Sequence, residues 1–348
     1  MSQKAGFSSV SSSTLANISI ILLVGVLAIV HLKAVIQPLV VATLIFFLIR
    51  PPAQWLEERI GGHPLVAYGV LVSMVMGFLF FASNSMYENM QNFTNEAPEL
   101  EQSLQLKIAW LEDFSIFGYH MDTSALTGLI TIETVNSYAA GFVGTLAGFT
   151  TSFVTVLIFL LFIILEAETL PKRIKAAYPD DVDRIMTVAA GSGEGINTYV
   201  VTRATVAFGQ AIVAAIVLSA MDIPFVFLWA SITFLMDFIP YVGALLSIIP
   251  PILLGLIVLP STTSLLLIAL LVANQQVWGG IIEPQLAGQR LDMSPIVLLL
   301  LVAFWGWAWG IMGMVLGVPL AVIMKIGLES DDRTRPIAMM LSRDPSLD

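Results

Sequence analysis

The sequence predicts an all-α, polytopic membrane protein with about eight transmembrane segments, including short, broken or re-entrant helices in its C-terminal half. Three observations predict it. Of 348 residues, 57% are hydrophobic and 11% are charged, against roughly 25% charged in an ordinary soluble domain. The charges are clustered, which leaves uncharged runs of about the 20 residues one helix needs to cross a bilayer. Late in the chain, prolines and glycines cut such runs into pieces that do not read as single full spans.

Apolar runs at 18–32 and 34–49 open the chain. Lys4, the serines after it and Ile18 to Val30 imitate a signal peptide. The second run follows at once with no small-x-small cleavage site, so the first reads as a retained membrane helix. A third run covers 64–84. Residues 85–141 then leave the membrane, carrying Glu88, Glu96, Glu99, Glu101, Glu112, Asp113, Asp122 and Glu133 against one base, Lys107. Leu100, Leu104, Ile108 and Leu111 recur there at helical spacing, so part of this loop is an amphipathic helix whose apolar stripe packs on the protein or on a neighbouring subunit.

Another run, 142–165, crosses back. The connection 166–203 is the most basic, with Lys172, Arg173, Lys175, Arg184 and Arg203. Its stripe of Val182, Ile185, Met186 and Ala189 suits a membrane surface. Gly191-Ser192-Gly193-Glu194-Gly195 lacks the Lys-Ser/Thr of a phosphate loop and reads as a hinge. Runs at 204–220, 224–239, 241–259 and 264–282 follow. The segment 224–239 is short and closed by Pro240, as a re-entrant or broken helix would be. The last run, 295–325, is interrupted by Gly306 and Gly310 and fits two short helices folded back as a hairpin. These segments divide the chain into N-terminal helices (1–84), an acidic extracytoplasmic helical loop (85–141), a helix with its cytoplasmic connection (142–203), a C-terminal membrane core (204–328) and a tail (329–348).

The excess of Lys and Arg in 166–203 places that connection in the cytoplasm and the acidic loop outside. Arg50 and Arg59, and Arg333, Arg335 and Arg343 of the tail, agree, so both termini are expected in the cytoplasm. Most of the net charge of −10 comes from the acidic loop and the tail. No basic stripe marks a nucleic-acid partner. The absence of cysteine excludes disulfides and thiolate chemistry. His31, His63 and His120 are far apart and read as interfacial residues rather than metal ligands. With no His-Glu-x-x-His or Gly-x-Gly-Asp motif and no Walker motif, neither an intramembrane enzyme nor direct ATP use is expected, and no cofactor or metal is implied.

Between residues 204 and 324 the only charged residues are Asp222, Asp237, Glu283, Arg290 and Asp292. A charge at membrane depth costs several kcal/mol, so it is paired or lines water. Asp237 precedes the Pro240 break and Glu283 precedes Pro284. Each proline frees a carbonyl one turn upstream, and carboxylates beside loosened carbonyls suit a cation, a proton or a hydroxyl-rich solute. Asn274, Gln275 and Gln276 add amide donors and acceptors. The bland alternative sets Glu283, Arg290 and Asp292 at the cytoplasmic interface, simply solvated, and Asp222 in an outer turn. Gly306, Gly310, Gly313 and Gly317 share one helical side, for close packing or for hairpin bending. Trp305, Trp307 and Trp309 are interface anchors or stacking partners for a solute.

The last third carries Ile239-Pro240-Tyr241-Val242-Gly243, Ile249-Pro250-Pro251 and Glu283-Pro284-Gln285-Leu286-Ala287-Gly288. Leu291-Asp292-Met293-Ser294-Pro295, Phe304-Trp305-Gly306-Trp307 and Gly313-Met314-Val315-Leu316-Gly317-Val318-Pro319-Leu320 follow. In order and spacing this succession resembles the autoinducer-2 exporter family of bacterial inner-membrane proteins. Gln285 and Ala287 depart from the family's Arg and Met, and Asp292-Met293 from its Gly-Leu. The resemblance implies export of autoinducer-2 or a related small polar solute, driven by the proton-motive force. Asp237, Glu283, Asn274, Gln275 and Arg290 are the candidates for solute or ion coupling. Pro240, Gly243, Pro250, Pro251, Pro284, Gly288, Pro295, Gly306, Gly310 and Pro319 are the candidates for helix breaks and gating. One charge moving through 100 mV supplies about 2.3 kcal/mol, enough for roughly a fifty-fold gradient. The alternatives are a sodium- or lithium-proton antiporter and a passive oligomeric pore. A homo-oligomer in the lipid bilayer is expected in each case.

Overall fold

The computed structural model describes residues 12–60, 64–113, 153–287 and 293–343, with the single positions 137, 141 and 144. Among these residues there are helices and turns but no strand. The chain is thus a polytopic helical membrane protein, as its composition predicts. His63, His120, Gly288, Arg290 and Asp292 lie outside the described residues.

Helix α1 (Ser12–His31) leads into α2 (Lys33–Ile60) without a loop. The bonds Leu32 N–H to Ala28 O, 2.8 Å, and Ile36 N–H to Leu32 O, 2.9 Å, carry the ladder through the junction. Helix α3 (Pro64–Asp113) is a single rod of 50 residues. The amphipathic segment expected beyond residue 85 is therefore a direct extension of the apolar run 64–84. Its Leu100 and Phe93 pack on the core formed by Met90, Leu218, Leu228, Trp229, Leu254 and Leu267. Lys107, the lone base of the acidic segment, donates through Nζ to Leu256 O at 2.7 Å and to Leu259 O, at the end of a later helix. There it satisfies carbonyls that a helix C-terminus leaves open.

Helix α4 (Phe153–Glu166) and α5 (Leu170–Ala177) are bent by 62°. Helix α6 (Val182–Ala220) joins the basic connection and the run 204–220 into one 39-residue element. The hinge expected at residues 191–195 is absent, because those small residues lie inside α6 as contact points. A Cβ on Gly193 would come within 2.7 Å of the Phe47 ring on α2. One on Gly195 would come within 2.9 Å of Val322.

Two hairpins of short helices follow. Helix α7 (Val226–Met236) has 11 residues, about 16 Å of rise, half the roughly 30 Å of a hydrocarbon core. It reverses into α8 (Val242–Val258) through Pro240 and Tyr241, the latter at φ 62°. Gly243 is required at this turn, since a Cβ there would lie 1.7 Å from Met236 O. The short apolar segment ending at Pro240 is thus a helix that stops part-way, as the sequence predicts. Helix α8 passes through Pro250 and Pro251 without ending.

Helix α9 (Ser261–Gln276) runs into a π-helical turn (Val277–Ile282) and then α10 (Glu283–Ala287). The last run is indeed a hairpin, α11 (Pro295–Trp309) against α12 (Ile311–Glu329), turned by Gly310 at φ 68°. Gly313 allows its close approach, since a Cβ there would be 1.9 Å from Trp305 O. Gly306 and Gly317 lie on the same contact, against Met314 and Val302. Pro295 starts α11, and Pro319 sits inside a continuous α12. A last helix, α13 (Arg335–Leu341), folds back so that Leu341 O accepts from Ser294 N–H at 2.8 Å.

Among the described residues, five helices are long and apolar enough to cross a membrane alone, and α4 with α5 makes a sixth if the bent pair is one span. The shorter apolar helices supply the broken or re-entrant elements. Apolar side chains such as Phe78 and Phe80 of α3 point outward, as a lipid-facing surface requires.

Candidate functional site

The charged residues of the membrane core converge on one cation. Arg203, on the inner face of α6, is 8% exposed. Its Nη1 lies 2.5 Å from Glu283 Oε2 and its Nη2 lies 3.6 Å from Asp237 Oδ1. Its Nε donates to the backbone carbonyl of Asp237 at 2.5 Å. One guanidinium thus uses its whole fork of donors to join two helix ends, a task for which its rigid planar geometry is suited. The group carries a net charge of −1, and Asp237 Oδ2 has no hydrogen-bond partner.

Local sequence explains why both carboxylates arrive there. Asp237 ends the half-length α7, held by the turn that Pro240 and Gly243 make. Glu283 follows the π-helical turn, where its N–H bonds Trp278 O five residues back. Pro284 has no N–H to offer and its ring crowds the carbonyl four residues upstream. One wide turn relieves that conflict, and such insertions concentrate at functional sites. The π-turn fits closely against α6 because position 209 has no side chain: a Cβ there would be 2.0 Å from Cη2 of Trp278.

The amides lie two turns along α6. Gln210, 1% exposed, donates through Nε2 to Gln275 Oε1. Asn274 Nδ2 donates to the carbonyl of Gln210 at 3.0 Å. Gln276 is exposed and takes no part. Asp222 is exposed in the turn after α6. Trp305 and Trp309 are buried with centroids 4.6 Å apart, whereas Trp307 faces outward.

The structure therefore brings Asp237 and Glu283 together at Arg203 and places Asn274 with Gln275 against Gln210, two turns further along α6. It also adds two residues that the sequence did not single out, Arg203 and Gln210. In the sequence Arg203 falls at the end of the basic connection 166–203. Its signal was its position at the very start of an apolar run, where a cation needs a carboxylate. Gln210, an amide in the middle of an apolar run, was the second available signal.

The sequence signature of the AI-2E family transporters matches residues 18–330. The chain belongs to the AI-2E family. The AI-2 transport protein TqsA of Escherichia coli K12 is 26% identical over 339 residues, covering 94% of this chain and 97% of TqsA. The putative transport protein YhhT of the same organism is 25% identical over 321 residues, 92% of this chain and 91% of its own. YueF of Bacillus subtilis, also described as a putative transport protein, is 22% identical over 323 residues, 85% of this chain and 84% of its own.

Proposed function

We propose that this AI-2E family protein is a secondary transporter that exports a small polar solute, autoinducer-2-like, across a bacterial inner membrane using the proton-motive force. The observation that carries the reading is the buried Arg203 held between Asp237 and Glu283 at two irregular helix ends. Proton arrival at either carboxylate removes one partner of the guanidinium. Arg203 then keeps one anionic partner and the group passes from a net charge of −1 to neutral, so the charge-assisted contact to the protonated end weakens, which favours a second arrangement of the π-turn and of the α7–α8 hairpin. That is the element a proton gradient needs to act on. The name of TqsA as an AI-2 transport protein supports the solute class. Both termini in the cytoplasm, an inner-membrane location and a homo-oligomeric assembly belong to the same reading.

Flux of autoinducer-2 and of sodium in proteoliposomes under an imposed pH gradient tests it, with Asp237→Asn and Glu283→Gln beside wild type. Solute flux that follows the gradient and collapses in either variant is expected. Sodium-linked proton flux without solute movement would instead establish the monovalent cation antiporter. Solute flux that is non-saturable and indifferent to pH would establish a passive pore.

A further inference from the structure

Six buried polar atoms among the described residues have no hydrogen-bond partner within the protein: Ser192 Oγ, Tyr199 Oη, Gln210 Oε1, Asp237 Oδ2, Asn274 Oδ1 and Trp305 Nε1. Burying an unsatisfied polar group costs about 1–3 kcal/mol, and native structures hold few of them. All six gather along one surface. Ser192, Tyr199 and Gln210 are on α6, and Asp237 touches Arg203 of the same helix. Asn274 bonds the Gln210 carbonyl, and Trp305 packs in one cluster with Ile196, which lies between Ser192 and Tyr199.

The spacing is decisive. At 100° per residue, positions 192, 199, 203 and 210 fall within about 40° of one another, and each is at most 8% exposed. From first to last they cover about 27 Å of helix rise, close to the roughly 30 Å of a hydrocarbon core. Beyond Gln210 this side of the helix turns apolar at Ala214 and Leu218, which share a hydrophobic cluster with Met90 of α3. Met90 lies just past the end of the apolar run 64–84, so the polar stripe sits at the level of that run.

We propose that this face of α6, from Ser192 through Tyr199 and Arg203 to Gln210, is the path by which a small solute crosses the membrane, divided into two half-sites by the Arg203 group. This rests on the transport reading above. The first half-site has the hydroxyls of Ser192 and Tyr199, which donate or accept, and the indole N–H of Trp305. In the second, the side-chain amide nitrogens of Gln210 and Asn274 are engaged by protein acceptors. Their free oxygens only accept. The second half-site therefore selects solutes that donate hydrogen bonds, and Gln210 is its specificity-determining residue.

The chain has no cysteine, so single-cysteine variants report cleanly. In proteoliposomes, Ser192→Cys and Gln210→Cys are treated from each side with a membrane-impermeant methanethiosulfonate ammonium reagent. Ala214→Cys and Phe208→Cys serve as buried-apolar and lipid-facing controls, and Asn274→Cys stands in if Gln210→Cys does not elute as a single folded species. Ser192→Cys should label from one side and Gln210→Cys from the other, each at least tenfold faster than Ala214→Cys. Labelling no faster than the controls, or labelling of both from one side, overturns the path. Erythritol should slow modification at position 210 several-fold while its tetramethyl ether, which has lost every donor, should not. Equal protection, or none from either, overturns the donor requirement. The labelling pattern decides the path and solute flux in the same vesicles decides transport, so either can fail without the other.

Discussion

The indole of Trp278 fills the space that a side chain at Gly209 would need, with Cη2 2.0 Å from where a Cβ would stand. This single close approach sets how near the π-turn lies to α6, and so whether Glu283 reaches Arg203. Gly209→Ala is expected to cost about 1–3 kcal/mol, the range for overpacking, and to reduce coupled flux at least tenfold. The double variant Gly209→Ala with Trp278→Leu should recover much of the stability, read from thermal unfolding in detergent.

Arg203→Lys tests the fork rather than the charge. A lysine ammonium is one compact charge and cannot serve a carbonyl and two carboxylates from fixed directions at once. The variant should fold, since a cation is retained, yet lose most gradient-driven flux. Arg203→Leu should be the more damaging, destabilising by about 3 kcal/mol because it leaves the buried Asp237 carboxylate without its cation, with the half-buried Glu283 also unpaired. Comparable flux in wild type and Arg203→Lys would show that the geometry is not required.

Lys107→Met removes the donor that closes the end of α8. A cation at a helix C-terminus contributes about 0.3–1 kcal/mol, so global stability should change little. Hydrogen exchange should localise the effect: the Leu259 amide, bonded to Gly255 O at 2.9 Å, and its neighbours should exchange several-fold faster, while α6 amides stay unchanged.

Asp331 governs the acid limit of the tail. The backbone N–H of Arg333, and with it the Arg184 guanidinium at 3.1 Å, hold its carboxyl below the usual carboxylate range. A carboxyl depressed on folding stabilises above its ordinary pKa of about 3.9, and that contribution disappears as pH falls through the folded value. Tail docking should therefore be flat from pH 7 down to about 5 and weaken below about 4. Asp331→Asn should start weaker and lose that acid-side dependence, as followed by proteolysis of the segment after residue 329.

The helical membrane architecture was legible because its signal is long-range and compositional: uncharged runs need no partner to be recognised. The α7 stop was legible from Pro240 and Gly243, and the α11–α12 hairpin from the glycines, because turn chemistry is local. The glycines at 191–195 misled for the same reason. In isolation they suggest a hinge, and only Phe47 and Val322, distant in sequence, make them contact points within α6. Asp237 and Glu283 were found as buried charges, but their shared partner was not, since which cation neutralises them depends on how α6 packs. The π-turn was equally hidden, although Pro284 was its cause.

The length of α3 has a consequence for the acidic residues it carries. Counted from the end of its apolar run near residue 84, Glu88 stands about 6 Å along the rod, Glu96 about 18 Å and Glu101 about 25 Å. Mobile ions screen a charge within about 8 Å at physiological ionic strength. On a flexible loop these carboxylates could fold down and enrich cations at the mouth of the path. Mounted on a rigid helix, Glu96 and Glu101 stand about two to three screening lengths beyond that run, so the cations they attract collect there, and Glu88 is the carboxylate near enough to act at the boundary of the apolar run.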